Sequence, residues 1–295
     1  MQQYTIAGHP IQVSGEGLDT LPGFDSFLSD KTSCEPLLAI SEKTSVEDWA
    51  ISPFFTFKNE KAFYDLSAGD NAYLCRLKLP EDNYLLAEIR REGISFQAAV
   101  RQKGFFNKIW LRSVCELLFN IASLSRQTVS IHASAVMIHG KSTLFLGESG
   151  TGKSTHSRLW LNHLPGTELL NDDRPLIKVE ADGSVRVYGS PWSGKTPCYK
   201  NMDAPVAAFV RLSQAPHNRI RRLKGAEAIG ALLPSLSVSL IYDKNLSESI
   251  YSIVSQTLLR TPVYHLECLP DAGAVDLVYS TLLHDRIYEG CDTGG

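Results

Sequence analysis

The stretch "FLGESGTGKSTHSRLW" (Phe145–Trp160) constrains this chain more than any other. It leaves an apolar run, "STLFL", and passes Gly147, Gly150 and Gly152 within six positions. It then enters a segment free of Gly and Pro. Glycines let backbone N–H groups turn inward around an anion, and a helix placed directly after them presents its positive end to the same point. The spacing Gly147-x-x-x-x-Gly152-Lys153-Ser154 is that of a phosphate-cradling P-loop, which demands strand, loop and helix in that order. The expected ligand is ATP, or another nucleoside triphosphate, with Mg²⁺ or Mn²⁺. Gly147, Ser149, Gly150, Thr151, Gly152, Lys153, Ser154 and Thr155 are the candidate binding positions. Lys153 brings a point charge to the β- and γ-phosphates, and Ser154 offers its hydroxyl to the metal. Glu148 would repel phosphate and is expected to face away from it. His156, on the first helical turn, reads as a surface residue.

The rest of the chain supports a P-loop α/β domain preceded by a different region. Its 295 residues are 43% hydrophobic and 21% charged, which allows one large or two modest domains. Residues 1–103 read as short strands with turns at Gly69-Asp70 and Glu92-Gly93, a mostly antiparallel β region. Residues 104–295 read as the nucleotide-binding domain. It opens on a helix with Trp110, Val114, Leu117, Leu118, Ile121 and Leu124 on one face and Asn107 as its N-cap. The net charge of −3 gives no basic field for nucleic acid, and the short run "NRIRRLK" reads as a solvated strand edge or turn. No stretch reaches the ~18 apolar residues of a membrane span. The start of the chain lacks the pattern of a signal peptide. Six cysteines without a C-x-x-C pair read as reduced thiols rather than a zinc or disulfide framework. The expected location is therefore cytoplasmic.

Two further signals accompany the loop. "ELLNDDRPLI" places Asp172 and Asp173 together after a short apolar run. Parallel strands leaving one sheet edge would bring this acidic turn beside the glycines. One carboxylate would then hold Mg²⁺, directly or through water, and the other would accept a proton from an attacking hydroxyl. The bland reading is a solvated Asx-type turn. His132 in "SIHASAV" lies on the strand before the P-loop strand, where a histidine is usually a satisfied core residue.

Taken together, "IHASAVMIHGKSTLFLGESGTGKSTHS" and "NDDRP" resemble the core of the phosphoenolpyruvate carboxykinase and HPr kinase/phosphorylase superfamily, over roughly Val129–Leu176. The matching segments are His132-Ala-Ser-Ala135, Gly147–Ser154 and Asp172-Asp173-Arg174. The resemblance implies a strongly twisted mixed sheet flanked by helices, and ATP-dependent phosphoryl transfer with a divalent metal. It implies Asp173 near the metal and Asp172 as general base. It gives His132 as a metal ligand or as support for the acidic pair. HPr kinases assemble, which implies a homo-oligomer, and "GAEAIGALL" offers an apolar helix face. The stretch Ser190–Asn201 then becomes an acceptor-loop candidate, with Lys195, Lys200 or Arg211 reaching the transferring phosphate; the alternative is an ordinary loop around a packed Trp192. The implied function is that of a kinase acting on a hydroxyl of a protein, peptide or small molecule. The alternative is an ATP-sensing regulatory or accessory protein with little catalysis. A carboxykinase-like lyase is a third reading, for which the chain is short.

Overall fold

A computed structural model describes residues 1–15, 18, 21–29, 35–81, 83–104, 108–194, 197–285 and 287–288. The chain divides into two compact units, Met1–Arg126 with Ser239–Ser249, and Gln127–Val238 with Ile250–Gly295. The division falls at residue 126 rather than at the expected 103, because the long helix after the first sheet packs on that sheet. This helix, α1 (Lys108–Leu124), buries Leu111, Val114, Leu118 and Ile121. Its expected N-cap, Asn107, lies outside the described residues.

The first unit is an eight-stranded sheet of β1 (Gln2–Ile6), β2 (His9–Ser14), β3 (Leu38–Glu42), β4 (Phe55–Lys58), β5 (Phe63–Gly69), β6 (Ala72–Lys78), β7 (Tyr84–Glu92) and β8 (Ser95–Lys103). Its order is β1-β2-β3-β8-β7-β6-β5-β4. Pairing is antiparallel except at β2–β3 and β3–β8. Those two pairs join strands far apart in sequence, where the chain has the length a parallel crossover needs. Arg76, buried on β6, is satisfied by Asp65 at 2.7 Å, Asp48 at 2.5 Å and Ser67 at 2.8 Å. Such a saturated ion cluster orders the sheet and leaves no charge free for chemistry.

The second unit carries β9 (Thr128–Ser130), β10 (Ala133–Ile138), β11 (Lys141–Leu146), α2 (Lys153–His163), β12 (Glu168–Asp173), β13 (Leu176–Val179), β14 (Val185–Tyr188), β15 (Asp203–Gln214), β16 (Arg219–Leu223), α3 (Gly225–Leu232), the part of α4 (Lys244–Arg260) from Ile250 onward, β17 (Val263–Cys268) and α5 (Ala272–His284). Its strands run β12-β10-β11-β15-β14-β13-β9, with β17 pairing β15 and β16 at the edge of β17. The β10–β11 hairpin turns through His139 and Gly140, both at positive φ (51° and 69°), as a two-residue hairpin turn prefers. Strands β11, β15 and β17 are mutually parallel. A parallel sheet is covered on both faces, so these strands read as continuous apolar runs. Phe145, Val210, Leu212 and Leu266 cluster with Trp160 of α2 and with Val275, Val278 and Leu282 of α5. The run Asn218–Lys224 supplies β16, which among the described residues pairs with β17 alone, the strand-edge form of the reading as an edge or turn.

The topology explains how three distant segments meet. Strand β10 pairs antiparallel with both β11 and β12, so β11 and β12 point the same way with one strand between them. The strands that carry the glycine loop and the acidic pair therefore run parallel, as expected, with β10 inserted between them. Leu146, Ala133 and Asp173 fall on one row across the three strands. That register sets the start of the glycine loop, the residue after His132 and the acidic pair at one end of the sheet.

Candidate functional site

The segment between β11 and α2 adopts a conformation only glycine tolerates at its key points. Gly147 has φ +150°, and a Cβ there would sit 2.5 Å from Thr151 Oγ1. Gly152, the residue that opens α2, is left-handed at φ 101°. The Thr151 hydroxyl donates to the Glu148 carbonyl at 2.9 Å and closes the loop on itself. Lys153 is buried and folds back, with Nζ donating to the carbonyls of Gly147 at 2.8 Å and Glu148 at 3.2 Å. Burial pushes its ammonium below the ordinary lysine range, against the opposing pull of Asp173, Asp172 and Glu148.

Two short contacts organise the facing side. Ser154 Oγ donates to Asp172 Oδ1 at 3.0 Å. His132 Nε2 lies 3.1 Å from Asp173 Oδ1, and Arg174 Nε lies 4.0 Å from its Oδ2. Burial raises the Asp173 carboxyl, but the His132 hydrogen bond and the charges of Arg174, His132 and Lys153 outweigh it, so Asp173 lies below the usual carboxylate range. Asp173 holds φ 113°, a left-handed value unusual for a residue with a side chain. It is pinned there by a bridge to Ser193, while Gly194 donates its N–H to the Asp172 carbonyl at 3.0 Å. A Cβ on Gly194 would come within 2.9 Å of the Asp173 Cβ, so the approach needs glycine. Together these groups line a cleft of about 440 Å³ that holds His132, Lys153, Ser154, Arg158, Asp172 and Asp173.

The structure thus gathers His132, Lys153, Ser154, Asp172 and Asp173, the side chains expected from sequence to do chemistry, into one hollow. The neighbours differ from expectation in several places. His156 is 3% exposed rather than on the surface. Its Nε2 accepts the Trp160 indole N–H at 3.2 Å, and its ring meets Phe145 edge-on at 4.6 Å. Burial drives its pKa down to about 4. Glu148 turns away from the loop to Arg211, Oε1 to Nη2 at 3.1 Å, so Arg211 is engaged there and not in the cleft. Lys200 reaches Glu168 at 3.5 Å, also outside the cleft. Trp192 is buried. Lys195 lies outside the described residues. Sequence reading passed over Arg158 and Asn171. Arg158 stands four residues after Ser154, one helical turn on, and that spacing was the available signal. Asn171 is fully buried, and its side-chain amide faces the carbonyls of Ser190, Trp192 and Cys198 and the Ser190 hydroxyl at 3.3–3.5 Å. Nothing in sequence distinguishes such an anchor from a turn asparagine.

No protein-family model matches this sequence, and no curated protein matches it. Among solved structures the chain is similar to the HPr(Ser) kinase/phosphatase from Coxiella burnetii, at 15% identity, covering 53% of this chain and 95% of that one, with a TM-score of 0.31. A likeness this distant carries no argument about chemistry, which rests on the residues themselves. No helix among the described residues is long and apolar enough to cross a membrane.

The donor set discriminates between kinds of metal. Among the described residues, no three His, Cys, Asp or Glu side chains gather as a protein-only cage would require. A hydroxyl and a carboxylate 3.0 Å apart fit instead a hard cation that draws its other ligands from phosphate and water, as Mg²⁺ does.

Proposed function

We propose that this protein is a metal-dependent phosphotransferase that moves the γ-phosphate of ATP to a hydroxyl acceptor. The observation that carries the reading is the convergence of two pairs, Ser154–Asp172 and His132–Asp173, on a glycine loop that also presents Lys153. The loop amides and the N-terminus of α2 cradle the phosphates. Lys153 exchanges the Gly147 and Glu148 carbonyls for phosphate oxygens. Ser154 and Asp172 would hold a divalent cation, which would supply neutralising charge to the transferring group.

The pairing favours the reverse of the roles that the resemblance implied for the two aspartates. Asp172 touches the metal-binding hydroxyl; Asp173 is turned by His132 and is ionised at neutral pH. The acceptor oxygen attacks the γ-phosphorus, the bond to the β–γ bridging oxygen breaks, ADP leaves, and the acceptor proton passes to Asp173. His132 keeps one Asp173 oxygen oriented, and Arg158 offers charge to the phosphoryl group from the cleft wall.

Transfer from γ-labelled ATP to a panel of serine peptides and small alcohols tests this. Asp173→Asn is expected to lower transfer by about 10²–10⁴-fold with Mg²⁺·ATP affinity unchanged. Asp172→Asn is expected to raise the Mg²⁺ concentration needed for half-maximal binding. Full activity in Asp173→Asn would exclude it as proton acceptor. Tight Mg²⁺·ATP binding without transfer to any acceptor would favour the nucleotide-sensing alternative.

A further inference from the structure

A second hollow, of about 670 Å³, opens on the opposite side of the glycine loop. It shares Gly150, Gly152 and Thr155 with the cleft just described, so the two adjoin at the loop. Its far wall is built where β15 and β17 end, and both run parallel to β11. In open α/β sheets ligands bind in the crevice outside the carboxyl ends of the parallel strands, which is where this hollow lies.

The two hollows differ in chemistry. The first carries two carboxylates, a lysine and an arginine. The second is lined by Leu159, Leu212, Cys268, Leu269 and Pro270, with no Asp, Glu, Lys or Arg side chain. Its histidine, His156, spends its Nε2 on Trp160. Gln214, at the end of β15, donates its amide to the Gly150 carbonyl at 3.2 Å and ties the hollow to the loop. A polyphosphate lying over the loop with its reacting end at Asp172 and Asp173 would have its other end beside this second hollow. The group attached to the phosphates there has to be uncharged, largely apolar and of nucleoside size, and the volume lies within the range of small-molecule sites.

We infer that the hollow between α2 and the ends of β15 and β17 binds the nucleoside moiety, with the heterocycle against Leu159, Leu212 and Leu269 and with Gln214 positioning the loop beneath it. The inference rests on the proposed nucleotide reading and adds the side on which the nucleoside lies and the residues that hold it.

Cys268 is a half-buried free thiol in this wall, whereas Cys75, Cys115 and Cys198 are buried. It serves as a reporter. The full chain is treated with N-ethylmaleimide, and labelling of Cys268 is followed by peptide mass spectrometry without ligand, with Mg²⁺·ATP, and with Mg²⁺·inorganic triphosphate. Calorimetry measures binding of both ligands to the unmodified protein and to the Cys268→Trp and Gln214→Ala variants. ATP is expected to slow Cys268 labelling at least tenfold and triphosphate less than twofold. Cys268→Trp is expected to weaken ATP at least tenfold and leave triphosphate within twofold. Gln214→Ala removes only a carboxamide at an exposed position and is expected to weaken ATP about threefold or more. Equal protection by both ligands, or ATP binding unchanged in both variants while triphosphate also binds, would overturn the nucleoside site and leave the loop reading intact. Failure of both ligands to bind the unmodified protein would overturn the loop reading itself, and this inference with it.

Discussion

His156 and Asp173 illustrate how one residue's surroundings decide its chemistry. His156 sits one residue beyond the loop threonine, yet it is withdrawn from solvent, and its pKa falls from 6.5 to about 4. The unfolded chain therefore binds a proton between these values that the native state refuses. Stability contributed by the neutral ring is present in full above about pH 6.5 and is lost as pH falls toward 4. The loss amounts to about 2 kcal/mol by pH 5. Urea midpoints measured from pH 7.5 to 5 should fall accordingly, and His156→Gln should flatten that slope while keeping an acceptor for the Trp160 indole. Asp173 is the opposite case. Its neighbours His132, Arg174 and Lys153 favour the charged form despite partial burial, so it stays a carboxylate, as the proposed role of proton acceptor requires. The identity of both residues was legible in the sequence. Their opposite environments were not, because burial of one and cationic company for the other arise from strands and helices far away in the chain.

At the scale of elements, the acidic end of β12 is shaped by the segment that comes after β14. Asn171 anchors that segment from inside the sheet, and its Oδ1 accepts the Arg174 N–H at 3.0 Å. Ser193 Oγ donates to the Asp172 carbonyl at 3.0 Å, and Ser190 Oγ donates to the Arg174 carbonyl at 2.5 Å. The segment read from sequence as an acceptor loop is thus at least a brace for the carboxylates. Asn171→Ala would strand a buried N–H and several carbonyls. We expect a loss of about 2–3 kcal/mol in urea unfolding. Transfer activity should fall further than a stability loss of that size explains, because Asp172 and Asp173 would lose their fixed geometry; steady-state rates measured well below the melting temperature separate the two effects. Most elements were legible. Alternation and turn residues gave the hairpins of the first sheet, and Asp271 caps the start of α5 by accepting from the Ala274 N–H at 3.0 Å. The exception was the order of strands around β10. An antiparallel strand between β11 and β12 has no local signature, since the hydrophobic pattern of a buried strand is the same in either direction.

For the whole molecule, the candidate chemistry belongs to one of two units. His132, the glycine loop, Asp172–Asp173 and the hollow at β15 and β17 all lie within the second. Hydrogen exchange with and without Mg²⁺·ATP should therefore show protection at residues 147–156, 171–174 and 212–215. Exchange in β5, β6 and β7 should be unchanged; protection confined to those strands instead would move the site to the first unit. The same titration should stabilise the folded unit by RT ln(1 + [L]/Kd), about 2.7 kcal/mol at a ligand concentration 100 times Kd, read as a thermal midpoint that rises with the logarithm of ligand concentration. The sequence alone determined the glycine loop and its strand–loop–helix setting, because the backbone conformations at Gly147 and Gly152 are local and demand that residue type. It also named His132, Lys153, Ser154, Asp172 and Asp173 as candidates for chemistry, though not Arg158. Tertiary structure alone decided which of them meet. The row from Leu146 through Ala133 to Asp173 depends on strand order and register. The different pairings of the two aspartates depend on a serine 18 positions away and a histidine 41 positions away. Contacts over such separations are fixed by packing of the whole sheet, and no local pattern encodes them.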